Sequence, residues 1–200
     1  WSGLGYNSRA KRMYESSKII AEKSFDGLYP DFQQLPGVGP YTENAILSFA
    51  YNEKVIAEDI NVKRVISRYF GIEDPKKYID RFSSLLLKNI ESRKLNQALM
   101  DFGSNICKPR NPLCLDCPLE NSCKKYFNLK TKPVEKFTGS NRELRGKLIK
   151  LLIKNGRLNI NTLQKELNAE NERFDKILKN LQKDGLIKLN KNNLIEINSS

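Results

Sequence analysis

Apolar side chains recur at helical spacing through most of this chain. Val62, Val65, Ile66, Tyr69 and Phe70 follow an i, i+3, i+4, i+7, i+8 series, which predicts a helix with one face turned inward. The same period places an amphipathic helix at 8–23, with Ala10, Met13, Ile19, Ile20 and Ala21 among basic residues. Further helices are predicted through Ala45, Ile46, Phe49 and Ala50, at 76–90 (Tyr78, Phe82, Leu85, Leu86) and at 93–103 (Leu95, Ala98, Leu99, Phe102). No alternating strand pattern occurs before residue 150, so 1–127 reads as an all-α domain. Residues 128–142 lack periodicity and contain Pro133 and Gly139, as a linker does. The pattern then changes. Helices are predicted at 143–154, 161–168 and 171–184, the last with Phe174, Ile177, Leu178 and Leu181 inward and Gly185 as its stop. Strands at 186–189 and 194–197 flank the polar turn 190–193. Three helices followed by a hairpin predict a small α+β unit of winged-helix type over 143–200.

Composition narrows the function classes. With 200 residues, 39% of them hydrophobic, the chain can fill two modest cores. No apolar run is long enough to span a membrane and no signal peptide is visible, so a reducing, cytoplasmic setting is expected. The chain opens at Trp1, inside a motif, which points to a longer parent protein. Histidine is absent, which removes histidine acid–base catalysis, Ser-His triads and mixed cysteine–histidine zinc fingers. The net charge of +12 is uneven: 17 basic and 15 acidic residues in 1–120 give +2, 5 and 1 in 121–140 give +4, and 13 and 7 in 141–200 give +6. That excess suits a polyanion, although a solvated basic surface is also compatible with it. The outer face of the 171–184 helix carries Lys176, Lys179, Asn180 and Lys183. A DNA-contacting face, a solvated face and a protein contact all fit this spacing.

Three motifs carry chemistry. The only four cysteines form Cys107-x6-Cys114-x2-Cys117-x5-Cys123, with Pro109, Pro112 and Pro118 breaking helix and Lys108, Arg110, Lys124 and Lys125 around them. Four thiolates suit a [4Fe–4S] cluster or a structural zinc, and a disulfide pair is the third option. The second motif is LPGVG, between two helical segments. Gly37 and Gly39 are expected to permit positive φ, and the amides of Gly37, Val38, Gly39 and Tyr41 to point outward at a helix start, where a phosphate binds. A plain αα-turn is the simpler reading. The third is Asp59, just before the 62–70 helix. It serves as an N-cap, and the same placement fixes a carboxylate that can stabilise an oxocarbenium-like sugar.

Taken in order, LPGVGPYT, DINVKRVISRYFG, LNQALMDFG and C-x6-C-x2-C-x5-C resemble the helix-hairpin-helix (HhH-GPD) base-excision DNA glycosylases with an iron–sulfur cluster. The opening WSGLGYNSRA and the NQALMDFG run look most like the MutY-type adenine DNA glycosylases. The resemblance covers about 1–126 and implies an all-α, two-lobed glycosylase fold acting on an extruded base. It implies that Asp59 is the catalytic aspartate and Asn61 the neighbour that hydrogen-bonds it. Gly37, Val38 and Gly39 then form the phosphate-binding hairpin, while Cys107, Cys114, Cys117 and Cys123 hold a [4Fe–4S] cluster. Lys108 and Arg110 meet DNA phosphates, and Tyr6 wedges into the duplex. Tyr41 stands where the bifunctional endonuclease III branch has a Schiff-base lysine, which implies a monofunctional glycosylase. Lys63 lies outside that position. The family's general-acid glutamate lies upstream of the GLGY loop, so residues 1–200 alone are expected to be impaired. The usual second tyrosine of that loop is Asn7, and a winged-helix unit replaces the NUDIX-like C-terminal domain. The expected substrate is double-stranded DNA carrying adenine opposite guanine or 8-oxoguanine, bound by a monomer. A G·T-mismatch thymine glycosylase and a non-enzymatic iron–sulfur DNA-binding protein are the alternatives.

Overall fold

The stripe on the third helix becomes the axis of one compact unit. The computed structural model describes residues 5–128, 136–190 and 192–198. Trp1–Leu4 of the opening motif and residues 129–135 of the expected linker lie outside the described residues. Two units are resolved, Lys23–Lys132 and Trp1–Glu22 with Pro133–Ser200. This division places residues 1–22 with the C-terminal segment, whereas the sequence pattern grouped them within 1–127.

The Lys23–Lys132 unit is helical: α2 (Pro40–Phe49), α3 (Ile60–Phe70), α4 (Ile79–Leu86) and α5 (Ser92–Asn105), with short 3-10 turns at Phe32–Gln34 and Pro75–Tyr78. Asp59 caps α3 and Gly71, left-handed at φ 72°, closes it. The helix predicted over 76–90 is shorter. Pro75 opens a 3-10 turn and the α-helix itself spans only Ile79–Leu86. Ile56, Val62, Ile66, Ile79 and Leu87 form the core, with Phe70 and Phe82 stacked at 4.0 Å beside it.

Helices α3 and α5 lie close together, and Gly103 is the reason. A Cβ at that position would sit 2.7 Å from the Asn61 Cβ and 3.2 Å from its Cα. Backbone as well as side chain would have to move. Gly103→Ala gains about 1 kcal/mol of helix propensity, but overpacking costs about 1–3 kcal/mol. A net loss is expected, read as a lower thermal midpoint, with Asn61 displaced.

In the other unit, α1 (Asn7–Lys23) forms as predicted, but Met13 is 57% exposed, so its apolar side is only partly used. The Lys11 amine donates to the carbonyls of Asp184 and Gly185 at 3.3 and 3.2 Å. The C-terminal segment runs α6 (Asn141–Asn155), β1 (Arg157–Asn159), α7 (Ile160–Leu167), α8 (Asn171–Lys183), β2 (Ile187–Leu189) and β3 (Leu194–Ile197). The antiparallel sheet has the order β1-β3-β2, with Leu158 opposite Ile195 and Leu189 also opposite Ile195. Leu148, Leu152, Leu163, Phe174, Ile177 and Leu181 fill its core. The sequence pattern lacked β1, whose three residues hold one apolar side chain and exist as a strand through pairing with β3. Among the described residues, no helix is long and apolar enough to cross a membrane.

Candidate functional site

The hairpin is built from a turn and two helix starts. Gly37 is left-handed at φ 86°, the conformation that requires glycine. Gly39 is extended, with φ −108°, and is the N-cap of α2, which begins at Pro40. Positive φ is therefore not its role. A Cβ there would meet nothing within 4 Å, so its missing side chain leaves open space in front of the helix. The Val38 amide donates to the Leu35 carbonyl at 3.1 Å, closing the turn, and is not among the free donors that the sequence suggested. Neither the Gly37 nor the Gly39 amide has a hydrogen bond among the described residues. Tyr41, in the first turn of α2, is 45% exposed. From the same turn the Glu43 carboxylate accepts from the amides of Phe32 and Gln33 at 3.0 and 3.2 Å. That clamp fixes the two arms of the hairpin, and the sequence reading did not identify it.

Asp59 caps α3 and also holds Asn61. Oδ1 accepts from the Val62 amide at 2.6 Å as an N-cap, and Oδ2 accepts from Asn61 Nδ2 at 3.0 Å. Lys63, the nearby amine, is paired with Glu58 at 3.4 Å. The segment leading to Asp59 is braced by buried Asn96, which accepts from the Ala57 amide at 2.8 Å and donates to Ser48 Oγ and the Val55 carbonyl at 2.8 and 2.9 Å.

Behind Asp59 the network continues inward. Arg64, only 5% exposed, donates through Nη2 to Asn61 Oδ1 at 2.8 Å and to the Gly103 carbonyl at 2.6 Å. Its Nε donates to the Cys107 carbonyl at 2.8 Å. Burial and then the charge of Arg68 lower its pKa from the usual value, yet an arginine stays charged throughout the physiological range. Arg68 donates to the Lys108 carbonyl at 2.7 Å and lies 3.4 Å from Cys107 Sγ. The far end of the cysteine loop returns to the same helix, with the Lys124 and Tyr126 amides donating to the Tyr69 and Arg68 carbonyls. One helix thus carries the capping aspartate at its N-terminus and turns its side to the cysteine loop.

All four cysteines are free and line one pocket, walled by Val65, Phe102, Ile106, Leu113 and Phe127. Among the described residues, no three Cys, Asp or Glu side chains close on one point as a single ion requires. A four-coordinate zinc needs its sulfurs about 2.3 Å from one centre. A cluster takes one thiolate at each iron and fits thiols spread around a larger volume. The donors at Cys107 Sγ and the Lys125 amide at Cys123 Sγ, 3.4 Å away, suit charged sulfur ligands. In the same loop Lys108 is half-buried, while Arg110 and Lys124 are exposed. Tyr6 belongs to the other unit, where the Arg142 guanidinium hydrogen-bonds its hydroxyl and lies over its ring. Lys176, Lys179 and Lys183 are also in that unit, exposed along α8.

Residues 1–89 match the family described as HhH-GPD superfamily base excision DNA repair protein. That match takes in the hairpin and the capped aspartate. The relatives are more specific. The chain is 45% identical over 141 residues to an adenine DNA glycosylase of Buchnera aphidicola subsp. Baizongia pistaciae, covering 65% of this chain and 39% of that protein. It is 34% identical over 163 residues to an adenine DNA glycosylase of Mycolicibacterium smegmatis, covering 76% and 56%. A solved thermostable thymine-DNA glycosylase matches with a TM-score of 0.52 and 32% identity, covering 60% of this chain and 59% of that one. The chain thus spans about 39–56% of the length of these two curated relatives.

Proposed function

We propose that the intact protein is a monofunctional adenine DNA glycosylase of base excision repair, acting on adenine opposite guanine or 8-oxoguanine. The observation that carries this is the Asp59 carboxylate. It is fixed at the start of α3 by one backbone amide and by Asn61, in a chain whose relatives are adenine DNA glycosylases. After the nucleotide is extruded, the N-glycosidic bond breaks towards an oxocarbenium-like sugar, and the preorganised carboxylate stabilises its positive charge. Asn61 holds that carboxylate in place. Tyr41 shapes the site, and a phenol there supplies no amine for a Schiff base. The open hairpin at Gly37–Gly39 and the loop residues Lys108 and Arg110 grip phosphates without reading sequence, while Tyr6 wedges the duplex.

Cys107, Cys114, Cys117 and Cys123 would hold a [4Fe–4S] cluster, which when bound cross-links the loop and so fixes its basic edge. The protein as purified is expected to be brown, with broad visible absorption. A chelator that bleaches it should lower DNA affinity and thermal stability. A colourless protein with stoichiometric zinc overturns the cluster.

The decisive assay presents the full-length gene product with duplexes bearing A·8-oxoG, A·G and G·T pairs. Adenine release from the first two supports the reading. The similarity to a thymine-DNA glycosylase favours a second one, G·T-mismatch thymine removal, and release from G·T alone would establish that instead. Tight binding without release marks a non-enzymatic DNA-binding protein.

A further inference from the structure

The C-terminal segment holds none of the residues assigned above to base release, yet it carries half of the chain's net charge: +6 of +12. We propose that it is a second duplex-binding module of winged-helix type, with α8 laid in the major groove and the β2–β3 hairpin alongside.

Topology is the first support. The order α6-β1-α7-α8-β2-β3 with the sheet order β1-β3-β2 joins a helix pair to a hairpin. Helices α7 and α8 are linked by three residues, the first of which, Asn168, is left-handed at φ 45°. Such a tight link is that of a helix-turn-helix pair. Periodicity is the second. At 100° per residue, the buried Phe174, Ile177, Leu178 and Leu181 centre about 160° away from the exposed Lys176, Lys179, Asn180 and Lys183. The lysine face is thus the one that the core leaves outward. From Lys176 to Lys183 the helix rises about 10.5 Å, close to the major-groove width of about 12 Å.

Charge decides the partner. Among the described residues, none of these three lysines forms an ion pair, whereas Asp184 at the end of the helix is taken up by Arg145 at 2.7 Å. Glu172, one turn earlier, shares the face, which leaves it net positive. Cores of protein interfaces are depleted in lysine and enriched in aromatic residues, and this face has no aromatic side chain. Asn180, between the lysines, is a residue type that pairs bidentately with adenine. Duplex DNA fits better than an acidic protein.

The test measures affinity for an undamaged duplex of about 25 base pairs, by fluorescence anisotropy across salt concentrations, using the whole chain. Each phosphate contact contributes about 0.9 to the slope of log K against log salt. The triple variant Lys176→Ala/Lys179→Ala/Lys183→Ala should bind at least about tenfold more weakly at moderate salt, with the slope reduced by about 2–3. A control, Lys150→Ala/Lys154→Ala on α6, removes exposed charge elsewhere in the same unit and should leave the slope unchanged. Alanine favours a helix, so melting curves should stay parental. A parental slope in the triple variant returns the face to solvent or to a protein partner and overturns the proposal. An equal loss per lysine in the control also overturns it. Asp59→Asn should abolish base release while preserving the slope, so failure here and failure of the glycosylase reading are separable.

Discussion

Asp59→Asn in the full-length protein is expected to abolish adenine release while leaving the fold nearly intact. The two roles of this side chain separate cleanly. Asparagine caps helices about as well as aspartate, so its Oδ1 can still accept from the Val62 amide as Asp59 Oδ1 does. What it cannot provide is negative charge. The remaining loss is local: Asn61 Nδ2 now donates to Asp59 Oδ2, and would face an amide nitrogen or an oxygen already used. One such hydrogen bond is worth about 1 kcal/mol. Loss of a preorganised electrostatic partner of the transition state costs about 10²–10³-fold in rate. Single-turnover release should therefore fall by about that factor with a nearly unchanged melting midpoint. Asp59→Ala, by contrast, should lose the rate and about 1 kcal/mol of cap stability as well. If Asp59→Asn retained parental rates, the carboxylate would be a cap and nothing more.

Much of this site was legible because its residues obey local rules. Gly37 has the backbone freedom that its turn requires, and Asp59 sits where any helix start favours it. The α3 stripe is long enough for its period to be unambiguous. Failures came where tertiary contacts set the role. Glu43 looks like an ordinary first-turn acid, yet its partners, Phe32 and Gln33, lie eleven and ten residues back. Asn96 lies on a helix with an apolar stripe, and its importance comes from Ala57 and Val55 about forty residues away. The expected fan of outward amides lost Val38 because its turn closes on Leu35. Strand β1 is too short to carry any period.

The buried arginines of α3 are the sharpest case. In sequence, Arg64 and Arg68 are the polar complement of an amphipathic stripe. In the structure α3 is buried almost all round, with Val62, Arg64, Val65, Ile66, Ser67 and Arg68 all inside. A signal was available. A loop interrupted by Pro109, Pro112 and Pro118 cannot satisfy its own carbonyls with regular structure. Two arginines spaced i, i+4 on the preceding helices' face offer ten N–H donors to do so.

Arg64→Met is accordingly expected to be the most damaging single change outside Asp59. It keeps the bulk and removes the fork, so the Gly103 carbonyl and Asn61 Oδ1 lose this donor, while the Cys107 carbonyl keeps only Arg68 at 3.3 Å. A buried acceptor left without a partner costs about 1–3 kcal/mol. Two together are a large share of the whole stability of a small domain, about 5–15 kcal/mol. Arg64→Lys should rescue little, since one ammonium cannot span three acceptors that a planar guanidinium reaches. Two readouts distinguish bulk unfolding from lost positioning. At low temperature, where the lysine variant remains folded by circular dichroism, base release should still drop by about tenfold or more, an order of magnitude per about 1.4 kcal/mol of misplaced Asp59–Asn61 pair. DNA affinity measured on the same sample should change less than the rate. A folded Arg64→Lys protein with the parental rate would mean that Arg64 only anchors the cysteine loop and has no part in holding the aspartate.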